Sequence, residues 1–206
     1  MPEPSHPPSG AVPVNRAVQD VWNARHRQRD AIPHAALVLQ ENAHLLPRQG
    51  HALEVACGLG GNALFLAARG LETLAWDISD VAISRLQQEA RQRQLPVTAQ
   101  LRDLSVEPMP EAQFDVLVVS RFLDRGMMPG MIQALRPGGL LFYQTFTRIK
   151  VDAAMGPDNP EYRLDVGELL VLFGALQILH YREEGRVGDL QKGFRNEAML
   201  VGKKVT

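Results

Sequence analysis

The segment His51–Gly70, HALEVACGLGGNALFLAARG, constrains the fold of this 206-residue chain more than any other. It runs from an apolar stretch, Ala52–Cys57, through a glycine cluster, Gly58, Gly60 and Gly61, into a helical pattern. Leu64, Ala67 and Ala68 carry that pattern, and Gly70 is placed to stop it. A strand that turns through glycine into a helix lets backbone approach a ligand closely and aims unpaired N–H groups at it. The next apolar stretch, LETLAWDIS, ends in Asp77, nineteen residues beyond Gly58. A carboxylate roughly twenty positions after the glycine turn is placed to accept ribose hydroxyls. The expectation is a nucleoside-containing cofactor.

The dinucleotide fingerprint G-x-G-x-x-G puts its third glycine where the helix packs beside a pyrophosphate. From Gly58 this chain reads GLGGNA, with Ala63 in the third place, which a dinucleotide site also accepts. Glu54, inside the first strand, argues for a different ligand. A carboxylate close to the turn repels a pyrophosphate and attracts a cation. S-adenosylmethionine, with its sulfonium and ammonium, is such a ligand. The alternative for Glu54 is a structural carboxylate, although its place in the pattern is buried and buried carboxylates are seldom unpaired.

Beyond the glycine turn, strand and helix patterns alternate. Strands are expected at Ala52–Cys57, Leu71–Trp76, Val97–Leu101, Phe114–Val119 and Leu140–Phe146, with helices over 61–69 and 79–93. Phe114–Val119 is nearly continuous apolar sequence, as a central parallel strand covered on both faces requires. Arg136–Gly139 reads as a turn, and residues 165–173 as a helix. Ala175–Arg182 and Phe194–Val201 follow with no helix between them, so they must pair antiparallel. The fold class expected is α/β: a doubly wound, Rossmann-like, seven-stranded, mostly parallel sheet with an antiparallel last strand and helices on both faces. Residues 1–13, with five prolines, read as a disordered tail. Residues 15–46 read as two helices broken at Pro33, a residue suited to a first helical position.

Taken in order, LEVACGLGGNALFLAARG, LAWDIS, LRDL, FDVLVVSRFL and LRPGGLLFYQTF resemble the motifs of class I S-adenosylmethionine-dependent methyltransferases. The first motif of that family is acidic-x-Gly-x-Gly-x-Gly. Glu54, Gly58 and Gly60 match it, and Ala56 stands at the first glycine. Within the family, the Asn62 that follows the glycines and the Trp76-Asp77 pair are similar to the tellurite-resistance and thiopurine-type small-molecule enzymes. The resemblance implies one methyltransferase domain over 14–206, with a helical cap at 14–46 and a core at 47–206. It implies S-adenosylmethionine as cofactor and S-adenosylhomocysteine as product. Ala56, Gly58, Gly60 and Asn62 then border the amino-acid portion, Asp77 and Ile78 the ribose, and Asp103 and Leu104 the adenine. Ser120 lies beside the cofactor at the end of the fourth strand.

In related enzymes a Trp-x-x-Arg segment folds over the cofactor. Trp22 shares a helix face with Arg25 and His26 by spacing, and by this resemblance Arg25 pairs with the methionine carboxylate. The alternative is an amphipathic helix anchored by Trp22. Trp22, together with Arg121 and Tyr143 at the carboxyl edge of their strands, is expected towards the acceptor. The connection 147–164, longer than most, is expected to act as a lid. Cys57 reads as a packing residue rather than a nucleophile.

Charge and composition narrow the partners. Lys and Arg number 22 against 23 Asp and Glu, for a net charge of −1, without the basic surplus of a nucleic-acid binder. One cysteine excludes an internal disulfide, and the start lacks a secretory pattern. No apolar run reaches membrane-spanning length, so a cytoplasmic monomer or homodimer is expected. The six histidines lack metal-ligand spacing, so no metal is expected. SRFLDR stands where enzymes that methylate adenine or glutamine carry Asn-Pro-Pro-Tyr, which favours a small-molecule acceptor, including a soft thiol, selenium or tellurium centre. Two other classes remain open: a nicotinamide-dependent oxidoreductase, and a cofactor-binding regulator without chemistry.

Overall fold

A computed structural model describes residues 14–205 of the chain. The proline-rich stretch 1–13, expected as a disordered tail, lies outside the described residues. Helix α1 (Arg16–Arg27) and the short α2 (Leu37–Glu41) precede the sheet. They are followed by β1 (Gly50–Val55), α3 (Gly61–Ala67), β2 (Leu71–Asp77), α4 (Asp80–Gln92), β3 (Val97–Leu101) and β4 (Phe114–Ser120). The remainder comprises α5 (Met128–Ala134), β5 (Leu135–Phe146), α6 (Glu168–Leu172), β6 (Gln177–Arg182) and β7 (Glu197–Lys203).

The strands form a seven-stranded sheet in the order β3-β2-β1-β4-β5-β7-β6. β1 to β5 run parallel, and β7 inserts antiparallel between β5 and β6. β4 shows why the sheet must be covered twice. Val116, Leu117, Val118 and Val119 are all fully buried. Leu117 and Val119 enter one apolar cluster, with α5 and α6 residues Met131 and Leu169. Val116 and Val118 enter the other, with Val38 and Leu39 of α2 and Leu66 of α3. Alternate side chains leave a strand on opposite faces, so a continuous apolar run demands helices on both.

Local chemistry sets the α4 boundaries. Ser79 caps its start, accepting the Ala82 N–H at 3.1 Å, with Asp80 in the first turn and Arg91 in the last. Ile83, Leu86 and Ala90 form its buried face.

Two local expectations are corrected. Pro33 does not open a helix: the chain is extended there, and α2 begins only at Leu37. Val38 N–H donates to the Gln144 Oε1 at 2.9 Å and Ala36 N–H to the Asn62 Oδ1 at 2.7 Å, so side chains of the core decide where α2 starts. Arg136–Gly139 is not a free turn but a break in the register of β5, whose Leu135 pairs with Phe114 and Leu140 with Val116.

Candidate functional site

The strand order reverses at β1, which pairs with β2 on one side and β4 on the other. Ligands of open α/β sheets sit at such a point, outside the carboxyl ends of the strands. The turn leaving β1 is tight: Cys57 N–H donates to the Trp76 carbonyl and Gly60 N–H to the Cys57 carbonyl, both at 2.9 Å. Ala56, Gly58 and Gly60 all take the left-handed conformation, with φ of +52°, +52° and +79°. For Ala56 this costs about 1–2 kcal/mol.

The three glycines do different jobs. A side chain on Gly60 would meet Leu86 Cδ1 of α4 at 2.3 Å, and one on Gly61 would meet the Pro33 carbonyl oxygen at 2.3 Å. Those two let α4 and the N-terminal segment approach. A side chain on Gly58 would meet only the imidazole of His26, at 3.2 Å from Cε1. Gly58 lets the His26 ring pack on the turn.

Three carboxylates mark the ends of β1, β2 and β3. Glu54 is 1% exposed. Its Oε1 accepts from Asn62 Nδ2 at 2.7 Å and its Oε2 from the Ala63 N–H at 2.8 Å. Burial pushes its carboxyl up to about 8 against these two hydrogen bonds. Asn62 Nδ2 also donates to Ser120 Oγ at 2.9 Å, so a polar line crosses from β1 through α3 to β4. Asp77 accepts from the Gly58 N–H at 2.7 Å and the Ser79 N–H at 2.8 Å. Burial raises its pKa, opposed by those N–H groups and by His26. Asp103 accepts from the Ser105 N–H and hydroxyl through Oδ1 and from the Asn15 N–H through Oδ2, at 2.8 Å. Burial raises the Asp103 pKa, but these hydrogen bonds outweigh it and hold the carboxyl below its ordinary value. Ile78 and Leu104, both half-buried, follow the second and third carboxylates. Cys57 is buried and its thiol is pushed well up by desolvation and by Glu54 and Asp77, the opposite of an activated nucleophile.

Helix α1 lies over this group. Asn23 Oδ1 accepts the Ser79 hydroxyl at 2.6 Å, and Arg85 of α4 donates to the carbonyls of His26 and Arg29. Trp22 and Arg25 share a face as the spacing requires, with the guanidinium 4.8 Å from the indole centre. Arg25 is exposed, and the residues α1 turns inward are Asn23 and His26. The sequence pointed to His26 only as part of a covering helix, and gave Asn23 no role. The signal was the polar stripe Asn15, Gln19, Asn23, His26 at helical spacing, opposite the exposed Val18 and Val21.

At the carboxyl end of β4, the structure brings together Ser120, Arg121 and Phe146. Arg121, left-handed at φ +55°, donates from Nε to the buried Glu197 at 2.8 Å, and its guanidinium lies 5.7 Å from the Phe146 ring centre. Tyr143 is a correction. It is fully buried, packs on Phe173 with centroids 5.2 Å apart, and donates its hydroxyl to the Phe122 carbonyl at 2.7 Å. Its place on β5 turns it into the core rather than towards an acceptor. The connection 147–164 folds around the Arg163 guanidinium, which is buried and donates to the carbonyls of Thr147, Met155 and Pro157. Among the described residues, no three His, Cys, Asp or Glu side chains cluster to hold a metal. No described helix is long and apolar enough to cross a membrane.

Residues 52–139 match the family described as "Methyltransferase domain". The chain is 28% identical over 161 residues to "Probable S-adenosyl-L-methionine-dependent methyltransferase TehB" of Haemophilus influenzae, covering 75% of this chain and 54% of that protein. The crystal structure of TehB from Haemophilus influenzae superposes with a TM-score of 0.64 at 19% identity, over 90% of this chain and 66% of that one. A 94-residue stretch is 35% identical to "Hemagglutinin 1" of Eikenella corrodens, covering 42% of this chain and 31% of that protein. The chain thus spans a third to about half the length of these two curated relatives. A structure titled "Conversion of a Disulfide Bond into a Thioacetal Group during Echinomycin Biosynthesis" superposes with a TM-score of 0.67 at 22% identity, over 91% of this chain and 92% of that one.

Proposed function

We propose that this chain, whose residues 52–139 match a methyltransferase domain, transfers a methyl group from S-adenosylmethionine to a small-molecule acceptor. The observation that carries the reading is the left-handed turn Ala56–Gly60 with Glu54, Asp77 and Asp103 at the ends of three adjacent strands. A nucleoside with an amino-acid tail fits that set. The absent side chain of Gly58 lets the His26 ring pack on the turn, and His26 Nδ1 is buried without a hydrogen-bond partner among the described residues. Asp77 suits the ribose diol, Asp103 and Leu104 the adenine, and the turn with Asn62 the amino-acid end. When bound, the cofactor supplies an electrophilic methyl on a sulfonium.

The protein's own contribution is then alignment and exclusion of water, which in favourable cases is worth roughly 7–11 kcal/mol. Arg121, Ser120 and Phe146 border the side from which an acceptor would approach. Cys57 and Tyr143 are buried with raised pKa values, so neither is poised as a base. A soft nucleophile such as a thiol, selenium or tellurium species needs little help of that kind. The sulfur chemistry named in the echinomycin structure's title is consistent with this choice. The test has two stages. Calorimetry should show binding of S-adenosylmethionine and none of NADH; the reverse would point to an oxidoreductase. Thiols, selenite, tellurite and small amines are then screened for release of S-adenosylhomocysteine. Binding with no release by any acceptor would favour a regulator on the same fold.

A further inference from the structure

Helix α1 is turned inside out for a surface helix. Val18 and Val21 are 41% and 51% exposed, while Asn23 and His26 are each 5% exposed. A helix buries its polar face only where polar partners wait for it. Asn23 has found one in Ser79. His26 has not: its Nδ1 is buried with no hydrogen-bond partner among the described residues. The ring is nevertheless held in place, stacked on Trp22 with centroids 5.9 Å apart, and α1 is clamped from below by Arg85 on the His26 carbonyl.

The imidazole packs directly on Gly58, with Cε1 3.2 Å and Nε2 3.8 Å from the point a Cβ would occupy. A ligand bordered by the turn at Gly58 therefore has this ring as a neighbour. On the far side stands Asp77, each of whose oxygens already accepts a backbone N–H, from Gly58 and Ser79. A vicinal diol presents two donors and would gain from a second acceptor besides this committed carboxylate.

We propose that His26 is a cofactor-binding residue: its neutral imidazole accepts a hydrogen bond from a ribose hydroxyl of the nucleoside held by Gly58 and Asp77. The surroundings keep the ring neutral. Burial lowers its pKa from 6.5, and Arg29, Arg85 and Arg25 act in the same direction, while Asp77 alone opposes them. The inference rests on the S-adenosylmethionine reading of the site.

The test is calorimetry on the full chain with two probes. S-adenosylhomocysteine carries the whole cofactor skeleton, and 5′-methylthioadenosine keeps the nucleoside but lacks the amino acid. His26→Phe preserves ring packing on Trp22, and His26→Asn restores a hydrogen-bonding side chain. The expected result is a loss of about tenfold in affinity for both probes in His26→Phe, the scale of one hydrogen bond, with partial recovery in His26→Asn. Wild-type affinity should also fall at acid pH as the imidazole protonates, and this fall should vanish in His26→Asn. A folded His26→Phe that binds both probes like wild type overturns the proposal. So does a loss confined to S-adenosylhomocysteine, which would mean an amino-acid contact. If the wild-type chain binds neither probe, the cofactor reading itself is overturned, and the role of His26 with it.

Discussion

Asp77 holds the glycine turn closed: its Oδ2 accepts the Gly58 N–H at 2.7 Å, from the end of the neighbouring strand. Its Oδ1 fixes Ser79, the cap of α4. One carboxylate therefore shapes both the turn and the helix that border the cleft. Asp77→Ala is expected to weaken S-adenosylmethionine binding by about 1.5–3 kcal/mol, the value of hydrogen bonds to a charged group. It should also lower the melting temperature, since two N–H groups lose their acceptor. Calorimetry and a thermal melt on the same sample check this, and unchanged affinity in a folded variant removes Asp77 from the site.

Gly58 and Gly60 should respond differently to the same substitution. In Gly60→Ala the new Cβ falls 2.3 Å from Leu86, so α4 must shift. A stability loss of about 1–3 kcal/mol is expected from such overpacking, in addition to the left-handed strain. Gly58→Ala shares the left-handed strain but meets only the His26 ring, so beyond that common cost its effect should be on cofactor affinity. Ala56→Gly should run the other way, relieving a left-handed alanine and leaving stability equal or about 1 kcal/mol higher. Denaturant unfolding of the three variants beside a binding titration separates the cases. Equal stability of Gly58→Ala and Gly60→Ala would refute the division of roles.

Glu54 makes stability depend on pH in the direction opposite to an ion-paired carboxylate. Its folded pKa, about 8, lies above the ordinary 4.5 of the unfolded chain. Between those values the folded chain holds a proton that the unfolded chain has released, so stability falls as pH rises. The contribution is complete below about pH 4.5 and is lost by about pH 8, on the order of 3–5 kcal/mol in total. In Glu54→Gln this slope should flatten, which urea unfolding from pH 5 to 8 would measure. A cationic cofactor favours the ionised carboxyl, so binding of S-adenosylmethionine at pH 7 should release protons. Calorimetry in buffers of different ionisation enthalpy reads that number directly.

The connection 147–164 should be rigid because of Arg163. Its guanidinium is 2% exposed and satisfies three backbone carbonyls, and Asn196 adds hydrogen bonds to the N–H groups of Val151 and Asp152. A lysine cannot reach three divergent acceptors, so Arg163→Lys is expected to cost about 2–3 kcal/mol through unsatisfied carbonyls. Hydrogen exchange in wild type should find 147–164 protected with or without S-adenosylhomocysteine, while residues 15–29 gain protection on binding. Ligand-dependent protection of 147–164 would instead make that connection the lid.

The sequence by itself determined the strands and their order, with the helices α1, α3, α4 and α6, but neither the start of α2 nor the existence of α5. Hydrophobic period and capping are local, so β3 falls at Val97–Leu101 and α4 begins behind Ser79 as the residues alone indicate. It determined the glycine turn and its carboxylates for the same reason, since Glu54, Gly58 and Asp77 lie within one strand-turn-helix-strand unit. Tertiary structure alone decided what each residue faces. β5 is buried on both sides, so no alternation revealed that Tyr143 points at Phe173 while its neighbour Gln144 bonds α2. Gly60 is needed because Leu86, distant in the chain, packs there. Asn23 and His26 turn inward because α1 covers polar groups rather than apolar ones, which reverses the usual reading of an amphipathic helix. Those choices depend on partners brought together by the sheet, and a local pattern carries no record of its partner.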